Sequence, residues 1–396
     1  MNVKIKSIRV GSGDCFFLCM RRDEQSYTIM IDCKSYNDEV KAMIEGTLNK
    51  HINLLVITHI DNDHVSGVRE MFNKVDGLII DEIWFNCYQR EPETPAQQLS
   101  DYQKKRLLEL KGNLPIVTDL VNTKVNSSEA LLLSEAILKY EKQSNRTVWR
   151  REYITTDHND IQLGENGKWG NIHFLSPTKA TIDILDKEFR KMFRNLFYQK
   201  YETRLTEDVS IYELMILYLN QKQEQLEHGI KVDSTPIFDE KTFRNETKTE
   251  ENEERVENIA SIAFVWSFDN HKILFAGDAD HLQLSSQIEK DYKDDLPLIF
   301  DAIKVSHHGS NTGTSMALMN LIDSSEFFIP CGTKKVPSLP TLAKIITRDL
   351  SEAIDCRNIH YNKATENIKC LQINAYKLTN LPKYELKDEK EYEFTC

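Results

Sequence analysis

Histidine and aspartate side chains are concentrated in one short segment of this chain. Residues 58–64 have the sequence Thr-His-Ile-Asp-Asn-Asp-His, which places two histidines and two aspartates within one turn. Residues 52–57 just before it are mostly aliphatic and lack polar alternation, a pattern that predicts a strand buried on both faces. Sites in α/β sheets form at the carboxyl ends of such strands, and imidazole with carboxylate suits zinc, manganese or iron. The segment therefore predicts a metal site.

Two later segments repeat this construction of an apolar strand followed by metal-binding residue types. Residues 272–276 lead into Gly-Asp, which ends at Asp278. Residues 302–306 lead into the pair His307 and His308, followed by Gly-Ser. Small or polar residues after each strand allow close approach of the backbone. We expect the three strand ends to converge on a single site.

Further short motifs add to this pattern. They are Val-Gly-Ser-Gly-Asp at residues 10–14, Ile-Met-Ile-Asp at 29–32, Asn-Ile-Ala-Ser-Ile at 258–262 and Lys-Val-Ser-His-His-Gly-Ser at 304–310. Together with residues 58–64, they resemble the metallo-β-lactamase fold superfamily, and within it the branch that includes the soluble domain of ComEC-type DNA-uptake proteins. The resemblance extends over residues 3–90, 165–180 and 256–375. It implies a four-layer αββα sandwich, an α/β fold, which here carries helical insertions.

The resemblance also implies how the ligands divide between metal ions. His59 and Asp61 face one ion, while Asp63 and His64 face the other. Asp278 bridges both ions. Two ions in this arrangement supply hydroxide near neutral pH and clamp the attacking and leaving oxygens of a displacement. Asp63 is then also placed to orient the nucleophilic water.

The histidine pair and its neighbours have further expected roles. We expect His307 to contact the metal centre and His308 to act as the general acid, and the reverse assignment stays open. Asp32 is expected to support a ligand or the turn backbone by hydrogen bonding. Side chains suited to binding phosphate oxygens follow at Ser310, Asn311 and Thr312.

Two positions depart from the pattern of the family. Asp61 stands where most superfamily members have a histidine, which makes its pocket richer in oxygen and favours manganese or magnesium. Leu339 stands where the branch usually has another histidine, and a leucine cannot bind a metal. The expected cofactor is therefore one or two divalent ions, zinc or manganese with magnesium also compatible, and the second ion depends on a nitrogen from His307 or His308.

The 396 residues suffice for one large domain with insertions. An apolar stripe in the polar stretch from 91 to 160 and an amphipathic pattern after residue 181 predict inserted helices. The glutamate-rich residues 246–257 predict a solvated linker or mobile loop. The expected organisation is a single domain over 1–380, a helical insertion at 91–160, a helical insertion with an acidic mobile loop at 181–257, and a C-terminal tail at 381–396.

The charge balance is acidic, with 62 Asp and Glu residues against 50 Lys and Arg residues. Such a molecule repels a polyanion at long range, so a nucleic-acid substrate requires a local basic patch. Candidate patches contain Arg146, Arg150 and Arg151, and Lys334 with Lys335. The amino terminus lacks the apolar core of a signal peptide, and no stretch approaches the roughly 18 apolar residues of a membrane span. We expect a cytoplasmic protein with no membrane partner.

The resemblance favours phosphodiester hydrolysis acting on DNA, RNA or a nucleotide. The acidic net charge shifts the expectation toward small nucleotides or a substrate presented by a partner. Stand-alone proteins of this kind resemble effector subunits encoded beside ATPases in microbial defence systems, which suggests a partner-activated nuclease. Two alternatives remain: a degenerate domain that binds a nucleotide or a protein without turnover, and a thioester or lactone hydrolase.

Overall fold

The computed structural model describes residues 1–87, 126–187, 239–330, 332 and 335–396. The strands within these ranges are β1 Asn2–Ser7, β2 Phe16–Arg22, β3 Gln25–Ile31, β4 His51–Ile57, β5 Ile79–Phe85, β6 Ile161–Gln162, β7 Asn171–Ser176, β8 Ala263–Phe268, β9 His271–Phe275, β10 Leu298–Phe300, β11 Ala302–Lys304, β12 Ile322–Ser324, β13 Glu326–Ile329, β14 Arg357–Tyr361, β15 Tyr384–Lys387 and β16 Glu391–Thr395. The α-helices are α1 Asp38–Lys41, α2 Asn62–Lys74, α3 Asn126–Ser144, α4 Glu240–Asn245, α5 Val256–Ile259, α6 His281–Asp291, α7 Met316–Leu321, α8 Leu339–Ile346 and α9 Glu366–Asn374. A π-helical turn, Ala42–Thr47, continues α1.

The strands form two large sheets. The first has the order β16-β1-β2-β3-β4-β5, and the second has the order β15-β14-β13-β11-β9-β8-β7-β6. In the first sheet β3, β4 and β5 run parallel, and in the second sheet β9, β11, β13, β14 and β15 run parallel. Strands β10 and β12 form a separate parallel pair. The ligand-bearing strands β4, β9 and β11 therefore all lie in the parallel parts of the two sheets.

The two large sheets pack face to face through an aromatic core. Phe16 of the first sheet contacts Phe275 and Phe328 of the second, with ring centroids 6.1 and 6.2 Å apart and the rings edge to face. Trp84 meets Phe174 in the same way at 5.4 Å. Such edge-to-face pairs add to the free energy gained from burying the rings. These contacts join the two sheets into the central layers of one core.

Helices cover the outer face of each sheet. The outer core of the first sheet contains Val68 of α2 and Ile137 of α3. The outer core of the second sheet contains residues of α6, α7, α8 and α9, such as Leu284, Leu342 and Leu371. The order of layers is therefore helix, sheet, sheet, helix. This confirms the predicted four-layer αββα sandwich.

The predicted insertions lie partly outside the described residues. Residues 88–125 and 188–238 are not described, and with them the predicted amphipathic pattern beyond Leu185 and the second predicted helix at 210–226. The part of the first insertion that is described includes α3, whose Leu133 and Ile137 are buried against the first sheet. Residues 381–396, assigned to a tail by the sequence pattern, contribute β15 to the second sheet and β16 to the first.

The candidate basic cluster at 146–151 is paired with carboxylates. Arg146 contacts Asp81 at 3.1 Å, and Arg150 contacts Glu82 at 3.3 Å. Arg151 pairs with Glu141. Lys334 lies outside the described residues. Among the described helices, none combines the length and apolar composition required to cross a bilayer.

The turn after β9 depends on a glycine. Gly277 has a φ of +53°, in the left-handed region that side chains rarely adopt. A Cβ atom at this position would lie 2.4 Å from the hydroxyl oxygen of Ser261 and 3.0 Å from the carbonyl oxygen of Ile262. The absence of a side chain lets the β9 turn approach the end of β4, and this brings Asp278 to the first histidine segment.

Candidate metal centre

Four histidine rings surround one oxygen of Asp278. The distances from Asp278 Oδ2 to the Nε2 atoms are 3.8 Å for His59, 3.5 Å for His64, 3.9 Å for His307 and 3.5 Å for His308. All five residues come from the three strand ends that the sequence predicted to converge. The structure therefore brings these predicted ligands together at a single point between the two sheets.

The spacing fits ligands that share metal ions. Nitrogen and oxygen ligands about 2.1 Å from one ion are roughly 3.4 Å apart in tetrahedral geometry. The distances around Asp278 are close to this value and longer than hydrogen bonds. In addition, His59 Nε2, His64 Nε2 and Asp61 Oδ1 are buried and have no hydrogen-bond partner among the described residues. Buried polar atoms without partners are costly, so the donor set fits a centre able to hold one or two metal ions.

Carboxylates orient two of these rings from behind. His64 donates from Nδ1 to Asp32 Oδ2 at 2.8 Å. His308 Nδ1 lies 2.9 Å from Asp14 Oδ1. A carboxylate on Nδ1 fixes the ring orientation and leaves Nε2 as the free lone pair toward a metal. Asp14 also lies within a cluster of possible metal ligands with His64, Asp278 and His308, but its position behind His308 makes it an orienting group.

The other two rings are oriented by a mixed set of groups. Nδ1 of His307 lies 3.0 Å from Glu253 Oε2 and 3.0 Å from the hydroxyl of Thr312. Nδ1 of His59 lies 3.5 Å from the hydroxyl of Ser261. Each of the four rings thus has a polar partner on Nδ1 and presents Nε2 to Asp278. The shared geometry indicates that the rings serve one centre.

Asp32 connects β3 to the turn that carries the ligands. Its two carboxylate oxygens accept hydrogen bonds from the backbone and the hydroxyl of Thr58, both at 2.7 Å. It is fully buried, and this burial raises the pKa of its carboxyl although His64 opposes the shift.

The backbone φ of Asp32 is 56°, and His307 and His308 also have positive φ values of 48° and 53°. Backbone strain of this kind is concentrated at functional sites.

Lys304 places a buried positive charge beneath the centre. Its ammonium lies 2.5 Å from Asp14 Oδ2 and 3.4 Å from Asp278 Oδ1, and it donates to the carbonyl of Gly277 at 2.6 Å. Burial disfavours the charged form, but Asp14 and Asp278 outweigh it and raise the pKa of Lys304. Burial likewise acts to raise the pKa of Asp14, yet Lys304 and His308 bring it down to about 2. Lys304 contacts Oδ1 of Asp278 and leaves Oδ2 facing the histidines.

His308, Asp278 and Asp63 hold each other in their charged forms, whereas burial and the charge of His64 lower the pKa of His59 well below its ordinary value. Burial opposes the charged form of His308, but Asp278 and Asp14 raise its pKa to about 10. Burial would raise the pKa of Asp278, yet His308 and His64 lower it well below its ordinary value. Burial acts to raise the pKa of Asp63, but the nearby His308 and the charge of His64 together lower it. Protons and metal ions therefore compete for the same atoms.

Distances divide the ligands into two pockets. In the first, His59 Nε2 lies 3.9 Å from Asp61 Oδ2. In the second, His308 Nε2 lies 3.2 Å from Asp63 Oδ2. His64 lies between the two pockets, with its ring centroid 4.1 Å from that of His59 and 5.2 Å from that of His308. His308 is buried within this second pocket, whereas the His307 side chain is 23% exposed. We call the solvent-facing side of the centre at His307 the mouth. The pairing of His64 with Asp63 that the resemblance implies stays a prediction.

Two residues at the mouth were not identified from the sequence. Glu253 holds His307, as described above, and Arg255 pairs with Asp61 Oδ2. Burial raises the pKa of Asp61 to about 6, with Arg255 opposing the shift. Both residues belong to the glutamate-rich segment that was expected to be a mobile loop. Its mobility stays a prediction, but the structure shows that the segment contacts the site.

The three residues expected to bind phosphate take different positions. The hydroxyls of Ser310 and Thr312 lie 3.3 Å apart at the mouth beside His307. Asn311 is buried, and its side-chain oxygen accepts from Lys344 at 2.7 Å. Ser310 and Thr312 are therefore placed at the entrance, and Asn311 supports the loop from inside.

Leu339 lies beside the loop of the histidine pair, since the backbone N–H of the preceding Ser338 donates to the carbonyl of Gly309 at 2.8 Å. Leu339 is the first residue of α8 and packs against the outer core of the second sheet. His173 on β7 is remote from the centre, since it bridges Asp160 and Asp291 at 2.7 and 2.8 Å. The rings at the centre are those of the two predicted histidine segments.

No family model matches the chain, and no curated protein matches its sequence. Solved structures with a similar backbone include the crystal structure of CmlA, a diiron β-hydroxylase from Streptomyces venezuelae, with 8% sequence identity and a TM-score of 0.37. A mutant of the same β-hydroxylase has 8% identity and a TM-score of 0.35. Each match covers 99% of this chain and 54% of the other, so this chain spans about half of their length.

Proposed function

We propose that this protein is a metal-dependent hydrolase that cleaves phosphodiester bonds in DNA, RNA or a nucleotide. The observation that carries the proposal is the position of Asp278 Oδ2 within 3.9 Å of four histidine Nε2 atoms. A carboxylate in this position can bridge two ions. The motif resemblance to ComEC-type proteins supports the phosphodiester over other bonds that the fold hydrolyses.

Divalent ions bound here would supply hydroxide near neutral pH and offset the charge of a phosphate. Asp63, with 35% of its side chain exposed beside His308, is placed to orient the attacking water. His307 lies at the mouth with Glu253 behind it, a geometry suited to donating a proton to a leaving oxygen. We therefore assign His308 to metal binding and His307 to the general acid, the reverse of the first sequence expectation.

The acidic balance of the chain supports a small nucleotide or a substrate delivered by a partner. The paired arginines at 146–151 offer little free positive charge to a polyanion. A partner of the ATPase type used in microbial defence would supply that surface. A binding-only domain is disfavoured because the polar ligands of both pockets are retained and converge.

A substrate panel tests the proposal. Linear DNA, RNA, cyclic nucleotides and bis(p-nitrophenyl) phosphate are compared with acyl thioesters and lactones, each with Mn²⁺, Mg²⁺ and Zn²⁺. We expect turnover of a phosphodiester that Asp63→Asn and His64→Ala abolish. The control variant Asp76→Asn changes an exposed aspartate and should retain activity. Turnover confined to thioesters or lactones would contradict the proposal, and metal-loaded protein that binds a nucleotide without cleaving it would favour the binding-only alternative.

A further inference from the structure

The segment at residues 250–255 lies across the mouth of the metal centre and is anchored along its length. Glu250 accepts a hydrogen bond from the backbone of Met316 at 3.0 Å. The carbonyl of Glu251 accepts one from His281 at 3.2 Å. Glu253 and Arg255 make the contacts to His307 and Asp61 described above. We name residues 250–255 the strap.

Arg255 binds the same atom that the first metal pocket requires. Its guanidinium pairs with Asp61 Oδ2, the atom that lies 3.9 Å from His59 Nε2. The side chain of Asp61 is 6% exposed, whereas that of Arg255 is 41% exposed. Arg255 therefore reaches in from the surface to a buried carboxylate, and it can leave toward solvent without opening the core.

Among the residues that the structure describes, the second pocket has no equivalent competitor. The cation beside it, Lys304, contacts Asp14 and the Oδ1 atom of Asp278, and neither contact involves the oxygen that faces the histidines. Positive charges a few ångströms apart repel strongly in a poorly solvated site. A guanidinium on Asp61 Oδ2 thus opposes a divalent ion in the first pocket only.

We propose that Arg255 and a divalent ion compete for Asp61, so that docking of the strap and loading of the first pocket are coupled. The second pocket then binds its ion more tightly, and the first pocket is the exchangeable one. Because coupling between two binding events is reciprocal, anything that pulls Arg255 away from Asp61 strengthens ion binding in the first pocket. This inference rests on the metal-binding part of the proposed function and not on its reaction.

Calorimetric titration of Mn²⁺ into the metal-free full chain tests the inference. We expect a tight and a weak class of site in the wild type. Arg255→Gln should tighten the weak class about tenfold, the order of one charge-assisted hydrogen bond, and change the tight class less than twofold. Arg255→Lys keeps the charge and should stay closer to the wild type. The matched control Arg146→Gln removes an arginine that is 42% exposed and paired with Asp81 away from the centre, and it should have no effect.

Hydrogen exchange of residues 250–257 provides a second readout that needs no catalysis. Saturating Mn²⁺ should speed exchange there in the wild type, and the same amides should already exchange fast in metal-free Arg255→Gln. Equal Mn²⁺ affinities in wild type and Arg255→Gln, or weaker binding in the variant, would overturn the inference. If no Mn²⁺ binds to either protein, the proposed function fails as well, and the two failures are thereby distinguished.

Discussion

At the scale of residues, His307 and His308 are neighbours in sequence but differ in environment. Both present Nε2 to Asp278, yet His308 is buried against Asp63 and Asp14, and His307 lies at the mouth with Glu253 and Thr312. Their left-handed backbone turns the two rings apart while keeping both near the centre. On this difference in burial we base the proposal that His308 binds metal and His307 donates a proton.

We predict opposite effects for removal of the two rings. His308→Ala should lower the bound metal per chain, because the second pocket loses a ligand. His307→Ala should keep the metal and lower the rate about 10²–10⁴-fold, as expected when a general acid is removed. Elemental analysis and turnover measured on the same preparations provide the check. Loss of metal in His307→Ala with full metal in His308→Ala would restore the first sequence expectation.

Asp14 is predicted to control metal affinity without touching the ion. Asp14→Asn removes the carboxylate behind His308 and leaves Lys304 with a weaker partner. Loss of such a group costs about 10–100-fold in metal affinity. Mn²⁺ titration compares it with Asp23→Asn, which changes an exposed turn aspartate. If both variants bind Mn²⁺ like the wild type, Asp14 has no role in orienting His308.

At the scale of elements, the sequence predicted those parts of the site that are contiguous in the chain. The apolar runs that became β4, β9 and β11 are each followed directly by their ligands. The contacts of Asp14 with Lys304 and His308 instead join the two sheets, and no local pattern encodes that packing. The short Val-Gly-Ser-Gly-Asp motif was the available signal, since it ends at this aspartate.

The strap was missed for a different reason. Its glutamates lack an apolar pattern, which is typical of a solvated loop. What holds the segment is the complementary charge of groups distant in sequence, such as His307 and Asp61. The sequence shows that the strap is charged, but it does not show which distant residues will face it. These pairs form only when the two sheets assemble.

A second buried charge cluster supports the outer helices of the second sheet. Asp323 accepts from Arg357 at 2.9 and 2.7 Å and from Arg348 at 3.1 Å. Although burial would raise the pKa of Asp323, the bonds from Arg357 and the charge of Arg348 lower it below the ordinary value of 3.8. The stabilisation is therefore complete above pH 3.8 and is lost as the pH falls through the lowered pKa.

We predict that Asp323→Asn destabilises the fold at pH 7 by about 3–5 kcal/mol, the cost of breaking a buried pair. The difference from the wild type should shrink as the pH falls below 3.8, because Asp323 is then protonated first in the unfolded chain and, below its lowered pKa, in the folded protein as well. Urea unfolding at a series of pH values provides the measurement. A difference that stays constant across this range would show that the charge of Asp323 does not stabilise the fold.

At the scale of the whole molecule, two sheets and two helical layers form one αββα sandwich, and the first and last strands both belong to its sheets. Strand β16 pairs with β1, and β15 extends the second sheet. The sequence predicted the layers through the family motifs but assigned the last residues to a tail, because their short polar strands lack the apolar content of a buried strand. Residues that follow strands of both sheets form the centre, so its geometry depends on how the two sheets pack together.

The presence of metal beside Asp278 is the claim on which the whole account depends. Crystals of the full chain grown with Mn²⁺ and measured for anomalous scattering test it directly. We predict a peak about 2.0–2.3 Å from Asp278 Oδ2, in contact with His64 and His308, and a weaker peak beside His59. Anomalous peaks absent from these residues, or found only elsewhere on the protein, would contradict the assignment of a metal centre.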